Sequence, residues 1–151
     1  MSDEPESARE TCRGQVVGPV AVCAHLRGGP SAAIAWLSDN LGQMCNAGTN
    51  VAAVLILREG ARPPDDAKRK EFAKILRAPS MKGLAVVVLG GGFWAAAARS
   101  VVTFFVVTAR LPVKLFTDGD SARAWLHEQL GPDAVDRRAL EATVNALIDA
   151  A

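Results

Sequence analysis

The side chains with the most chemical capacity in this 151-residue chain are three cysteines (Cys12, Cys23, Cys45), two histidines (His25, His127) and a pair of adjacent carboxylates, Asp65 and Asp66. A zinc site or a dithiol redox motif draws its cysteines from one short loop, about two to four residues apart, so that both sulfurs reach one centre. Here they lie 11 and 22 residues apart, without that close pairing. Neither histidine has a second metal-type ligand nearby in sequence, and both are expected to be surface or hydrogen-bonded residues. No serine, histidine and aspartate group into a triad. Ser100 lies inside a helical stretch, where its hydroxyl is expected to bond back to the helix backbone. The chain is therefore expected to carry no catalytic residues, no cofactor and no metal, and not to be an enzyme.

Two other stretches have the composition of a binding site. Gly90-Gly91-Gly92 precedes a helical pattern, and the first N–H groups of a helix can hold a phosphate or carboxylate. A dinucleotide loop also needs G-x-G-x-x-G, and a P-loop needs a Lys-Ser/Thr after its last glycine. Neither is present, so a tight strand-to-helix turn is the expectation. Phe93 and Trp94 beside it either form an aromatic lip over a small apolar pocket or pack on the sheet, the second being the commoner use of aromatics at a helix start. Asp65 and Asp66 precede another helix, where a carboxylate caps orphan N–H groups and opposes the helix dipole. The run Lys68-Arg69-Lys70 reads as a solvated helix face.

The elements that must position these groups follow from periodicity. Residues 15–17 and 20–26 read as two extended pieces divided by Gly18-Pro19, a turn signal, so that a hairpin or a bent edge strand opens the fold. Residues 32–44 carry Ile34, Leu37 and Leu41 at helical spacing, with Ser31 as cap and Gly48 past the end. Residues 51–57, VAAVLIL, and 84–89, LAVVVL, are unbroken apolar runs suited to strands buried on both faces. Between them Asp65-Asp66 precede an amphipathic helix that runs through about Leu76, with Phe72, Ala73, Ile75 and Leu76 inward. Residues 93–110 read as a helix apolar nearly all round. A short strand over 112–117 then leads through Asp118-Gly119-Asp120, with Asp120 or Ser121 as cap, to a helix over 122–130 and a last helix over 133–148.

Strands alternating with helices predict an α/β fold, a mixed and mostly parallel sheet of about four or five strands flanked by helices, with an extra C-terminal helix. One domain is expected: a tail over residues 1–14, the α/β domain over 15–130, and a C-terminal helix over 131–151 packed on it. Seventeen basic residues against 16 acidic ones, a formal net charge of +1, leave no global footprint for nucleic acid or an anionic surface. Residues 84–109 are long enough to span a bilayer. The glycine break, the central Arg99 and the charged helices on either side favour a core in water, so a membrane partner is not expected. The acidic, polar start excludes a secretory signal peptide, and the unpaired cysteine count fits a reducing cytoplasm.

An opening hairpin followed by strand–helix units resembles the STAS family, the small domains of anti-sigma-factor antagonists, over about residues 15–130. The resemblance is strongest at Val113 to Phe116, Asp118, Asp120 and the run Ala122, Ala124, Trp125, Leu126, which look like the closing strand and Ala-Trp-Leu helix of the antagonist-like branch. It implies a protein-interaction module in signalling or regulation. In signalling members a Ser or Thr at the start of the helix after the third strand is phosphorylated. The matching stretch here, REGARPPDD, has no hydroxyl residue, which puts that switch in doubt.

The expectation is thus a cytoplasmic, STAS-like module that binds another protein. Its surface is expected at Glu59, Arg62, Asp65 and Asp66 together with Gly91, Gly92, Phe93 and Trp94. The apolar run at Val101, Phe104 and Phe105 is a candidate homodimer seam. The alternative is a carrier or sensor of a small apolar or lipid-like ligand held between the helix over 93–105 and the sheet.

Overall fold

The computed structural model describes residues 12–25, 31–58, 66–90, 96, 99, 103, 112–131 and 133–150. In chain order the elements are β1 (Cys12–Val17), β2 (Val20–His25), α1 (Ser31–Asn46), β3 (Val51–Leu57), α2 (Asp66–Leu76), β4 (Met81–Val88), β5 (Val113–Phe116), α3 (Gly119–Leu130) and α4 (Arg137–Ala150). The expected helix over 93–110 lies outside the described residues except at three helical positions, Ala96, Arg99 and Thr103, where the Thr103 hydroxyl donates to the Arg99 carbonyl at 2.9 Å.

Five strands form one sheet in the order β1-β2-β3-β4-β5. β1 is antiparallel to β2, and β2, β3, β4 and β5 run parallel. The α/β fold class, the opening hairpin and the C-terminal helix are all as the residue pattern predicts. Gly18 has φ +55, and the proline after it is held near −65°. That sequence of signs is the II′ turn, whose twist suits a two-residue hairpin.

Every residue of β2 and of β3 is buried. This is why both read as continuous apolar runs: alternate side chains enter cores on opposite faces of the sheet. On one face Ala21, Cys23, Ala53, Leu55, Leu84 and Val86 pack under α1 and α2 through Leu37, Leu41, Phe72 and Leu76. On the other Val22, Val54, Ile56, Ala85 and Val87 pack under α3 and α4 through Leu126, Leu140 and Val144. The closing unit is tightly packed. The Trp125 ring lies 5.7 Å from the Phe116 ring, and a Cβ on Gly83 would sit 3.0 Å from its edge. Among the described residues no helix is long and apolar enough to cross a membrane.

Several boundaries differ from the expectation. β1 begins at Cys12 rather than residue 15, and β4 at Met81 rather than residue 84; each extension contains a glycine, Gly14 or Gly83, whose missing side chain makes a strand hard to read. The cap of α3 is Asp118, not Asp120 or Ser121: its backbone is extended and its carboxylate accepts from the Ser121 N–H at 2.7 Å. α4 starts at Arg137 rather than residue 133, because the Asp136 carboxylate accepts from the Ala139 N–H at 2.9 Å and so sets the first turn there.

Candidate functional site

Because β2 to β5 are parallel, all four end at one edge of the sheet, and antiparallel β1 begins there. The edge therefore gathers Cys12, His25, Arg58, Leu89, Gly90 and Thr117 from stretches far apart in sequence. In open α/β sheets small ligands bind outside the carboxyl ends of the strands, at the point where the strand order reverses. At its centre the Leu89 N–H donates to the Leu57 carbonyl at 2.8 Å. The chain leaves β3 toward residues 59–65 and β4 toward residues 91–95 from these two neighbouring points. Gly90 has φ +107, a conformation an L side chain resists.

The expected surface residues Glu59, Arg62, Asp65, Gly91, Gly92, Phe93 and Trp94 lie outside the described residues, as do Val101, Phe104 and Phe105 of the expected dimer seam. Asp66 is the first residue of α2. What the structure establishes is that the two expected stretches leave the sheet side by side.

Sequence spacing missed a cluster of thiols and imidazole beside this edge. A two-residue turn between Val17 and Val20 fixes every pair in the hairpin, so Cys12 stands opposite His25 and Gly14 opposite Cys23. Cys12 and Cys23 are diagonal neighbours on one face, both in the core under α1. Cys23 is fully buried and Cys12 half-buried, and all three cysteines are free thiols. A hydrogen bond from the Cys23 thiol lowers the pKa of Cys12 to about 7 against the opposing effect of burial. That same bond, then burial and the Cys12 charge, push Cys23 far up. Burial alone raises Cys45. His25, expected as a surface or satisfied residue, is 1% exposed.

Gly14 is what lets the helix close over this pair. The Trp36 indole of α1 occupies the space a side chain there would fill, with ring carbons 2.3–2.5 Å from the position of a Cβ. The signal for the cluster was present in the Gly18-Pro19 turn, since the turn length alone sets which residues face each other.

A second polar group lies between α3 and α4, where Ala124, His127, Glu128 and Arg137 line an open cleft of about 410 Å³. His127 is 8% exposed, and its Nδ1 is buried without a hydrogen-bond partner among the described residues. Burial first, and then the charges of Arg137 and Arg123, lower its pKa. Arg123 pairs with Asp120 and lies 3.8 Å from Glu141. Three acidic groups, Asp120, Glu128 and Glu141, offset the arginines, so the cleft has no strong field of one sign.

Among the described residues no three His, Cys, Asp or Glu side chains converge as a metal site. No family model matches the chain, and neither a curated protein nor a solved structure does so.

Proposed function

We propose that this chain is a non-catalytic protein-interaction module, STAS-like in organisation and working in the cytoplasm in bacterial signalling or regulation. The observation that carries this reading is the consecutive strand order. Doubly wound sheets hold cofactors in the crevice where the strand order reverses and helices diverge to opposite faces. From β2 to β5 the order never reverses, and α1 and α2 share one face. That favours a continuous edge for a partner's surface over a cofactor crevice. On this reading the partner contacts Glu59, Arg62, Asp65 and Asp66 and the neighbouring Gly91, Gly92, Phe93 and Trp94. Val101, Phe104 and Phe105 supply a homodimer seam.

The test is affinity capture with three full-length proteins: the natural chain, a Glu59→Lys/Asp65→Lys variant, and an Asn50→Lys control at the opposite, exposed edge. A partner retained by the natural chain and the control and lost by the double variant supports the surface. A partner retained equally by all three refutes it, and a small molecule that co-purifies and is seen by native mass spectrometry refutes the interaction reading in favour of a ligand carrier.

A further inference from the structure

We propose that Cys12 and Cys23 form a peroxide-reactive thiol pair, in which Cys12 is oxidised and Cys23 resolves it as an intramolecular disulfide across the β1–β2 hairpin. Three features of the hairpin lead there. The two-residue turn places the Val17–Val20 pair next to it as a hydrogen-bonded pair, so counting outward makes both Gly14–Cys23 and Cys12–His25 non-hydrogen-bonded pairs. In such pairs the side chains of the two strands stand closest, and diagonal neighbours remain in reach of each other. The pair is also graded in access: Cys12, on the edge strand and half-buried, meets solvent, while Cys23 lies entirely under α1.

The chemistry follows from that grading. The thiol–thiol hydrogen bond that lowers Cys12 to about 7 makes a large fraction of it thiolate at neutral pH. Its sulfur attacks one oxygen of a hydroperoxide; the O–O bond breaks and hydroxide or alkoxide leaves and takes up a proton. Cys12 is oxidised to the sulfenic acid and the peroxide is reduced. The hydrogen bond to the Cys12 thiolate, which chiefly held the Cys23 proton in place, is then gone together with the Cys12 charge, and burial alone still opposes release of that proton. Cys23 sulfur attacks the sulfenic sulfur, the S–S bond forms, the S–O bond breaks, and hydroxide leaves with the Cys23 proton as water.

Forming that bond moves the hairpin. Diagonal Cα atoms stand roughly 7–8 Å apart, whereas a disulfide spans about 4.4–6.8 Å. The start of β1 must therefore be drawn along β2, past the Trp36 indole that packs on Gly14. Cys45, raised by burial and remote in sequence from the hairpin, serves as the internal control.

The experiment treats the full chain with hydrogen peroxide at neutral pH and reads intact mass and peptide maps, with dimedone present to trap sulfenic acid. The natural chain is expected to lose the mass of two hydrogen atoms, with Cys12 joined to Cys23 and Cys45 unmodified. Cys23→Ser is expected to accumulate a dimedone adduct on Cys12, and Cys12→Ser to leave Cys23 unreacted. Cys23→Thr, whose hydroxyl can still donate to Cys12, repeats the second arm if serine disturbs the buried site. Oxidation of Cys45 as fast as Cys12, no Cys12 adduct in either Cys23 variant, or a disulfide that joins two chains would overturn the proposal.

Discussion

Replacing Gly14 with alanine adds one methyl group where the structure has no room for it. The new Cβ would lie 2.3 Å from Trp36 Cε2 and 2.5 Å from Cδ2 and Cζ2. Ordinary contact between carbons is about 3.5–4.0 Å, so the indole must withdraw by about 1 Å or more. Trp36 is half-buried and hinged on a helix, so part of the clash is relieved by rotating the ring outward. What remains is an overpacking cost of about 1–3 kcal/mol. With a urea m value of roughly 2 kcal/mol per molar, a loss of about 2 kcal/mol lowers the unfolding midpoint by about 1 M. The control is a double-mutant cycle. In a Trp36→Ala background the three atoms nearest the methyl are removed, and Gly14→Ala should become neutral or stabilise by about 0.4–1 kcal/mol through reduced freedom of the unfolded chain. A Gly14→Ala protein as stable as the natural one, or a cost unchanged when Trp36 is removed, would refute the packing of α1 over the hairpin.

Phe72 is fully buried between α2 and the sheet, and Phe72→Ala should cost about 3–5 kcal/mol by equilibrium denaturation; a loss under 1 kcal/mol would mean that α2 does not pack there. Asp118→Ala should lower the thermal midpoint while Asp118→Asn retains most of it, because both oxygens and amide carbonyls accept from the Ser121 N–H. The pKa of Asp118 is lowered chiefly by that N–H, so its contribution is present above the unfolded value of 3.8 and is lost as pH falls through the lower folded one. His127 has the opposite consequence for its charged form. Its folded pKa lies below the ordinary 6.5, so the fold is undisturbed above that value and loses stability as pH falls from 6.5 toward the folded pKa. Thermal melts of His127→Gln should lack this component between pH 7 and pH 5; identical pH dependence in the two proteins would rule it out.

The parts of the fold that were legible are those where one physical demand dominates. β3 needs apolar side chains on both faces, and VAAVLIL satisfies this from Val51 to Leu57 without interruption. Gly18-Pro19 marked a turn but left a hairpin and a bent edge strand both open; the pairing of Val17 with Val20 selects the hairpin and its register. Boundaries set by a single hydrogen bond were harder. Asp118, Asp120 and Ser121 are all good caps by residue type, and only the backbone geometry selects Asp118. The same holds for Asp136 at α4. The thiol cluster was hidden because cysteines were read along the chain, whereas their proximity exists across the hairpin. Trp36 over Gly14 was beyond reach altogether, since no local pattern states which strand a helix side chain will cover.

The proposed binding edge is tested most directly by amide hydrogen–deuterium exchange of the full chain, alone and with the partner recovered by capture. Slowed exchange confined to peptides covering residues 58–66 and 89–94 is the predicted result. Slowed exchange at residues 47–50 on the opposite edge, or along α3 and α4 with the 58–66 and 89–94 peptides unchanged, would contradict it.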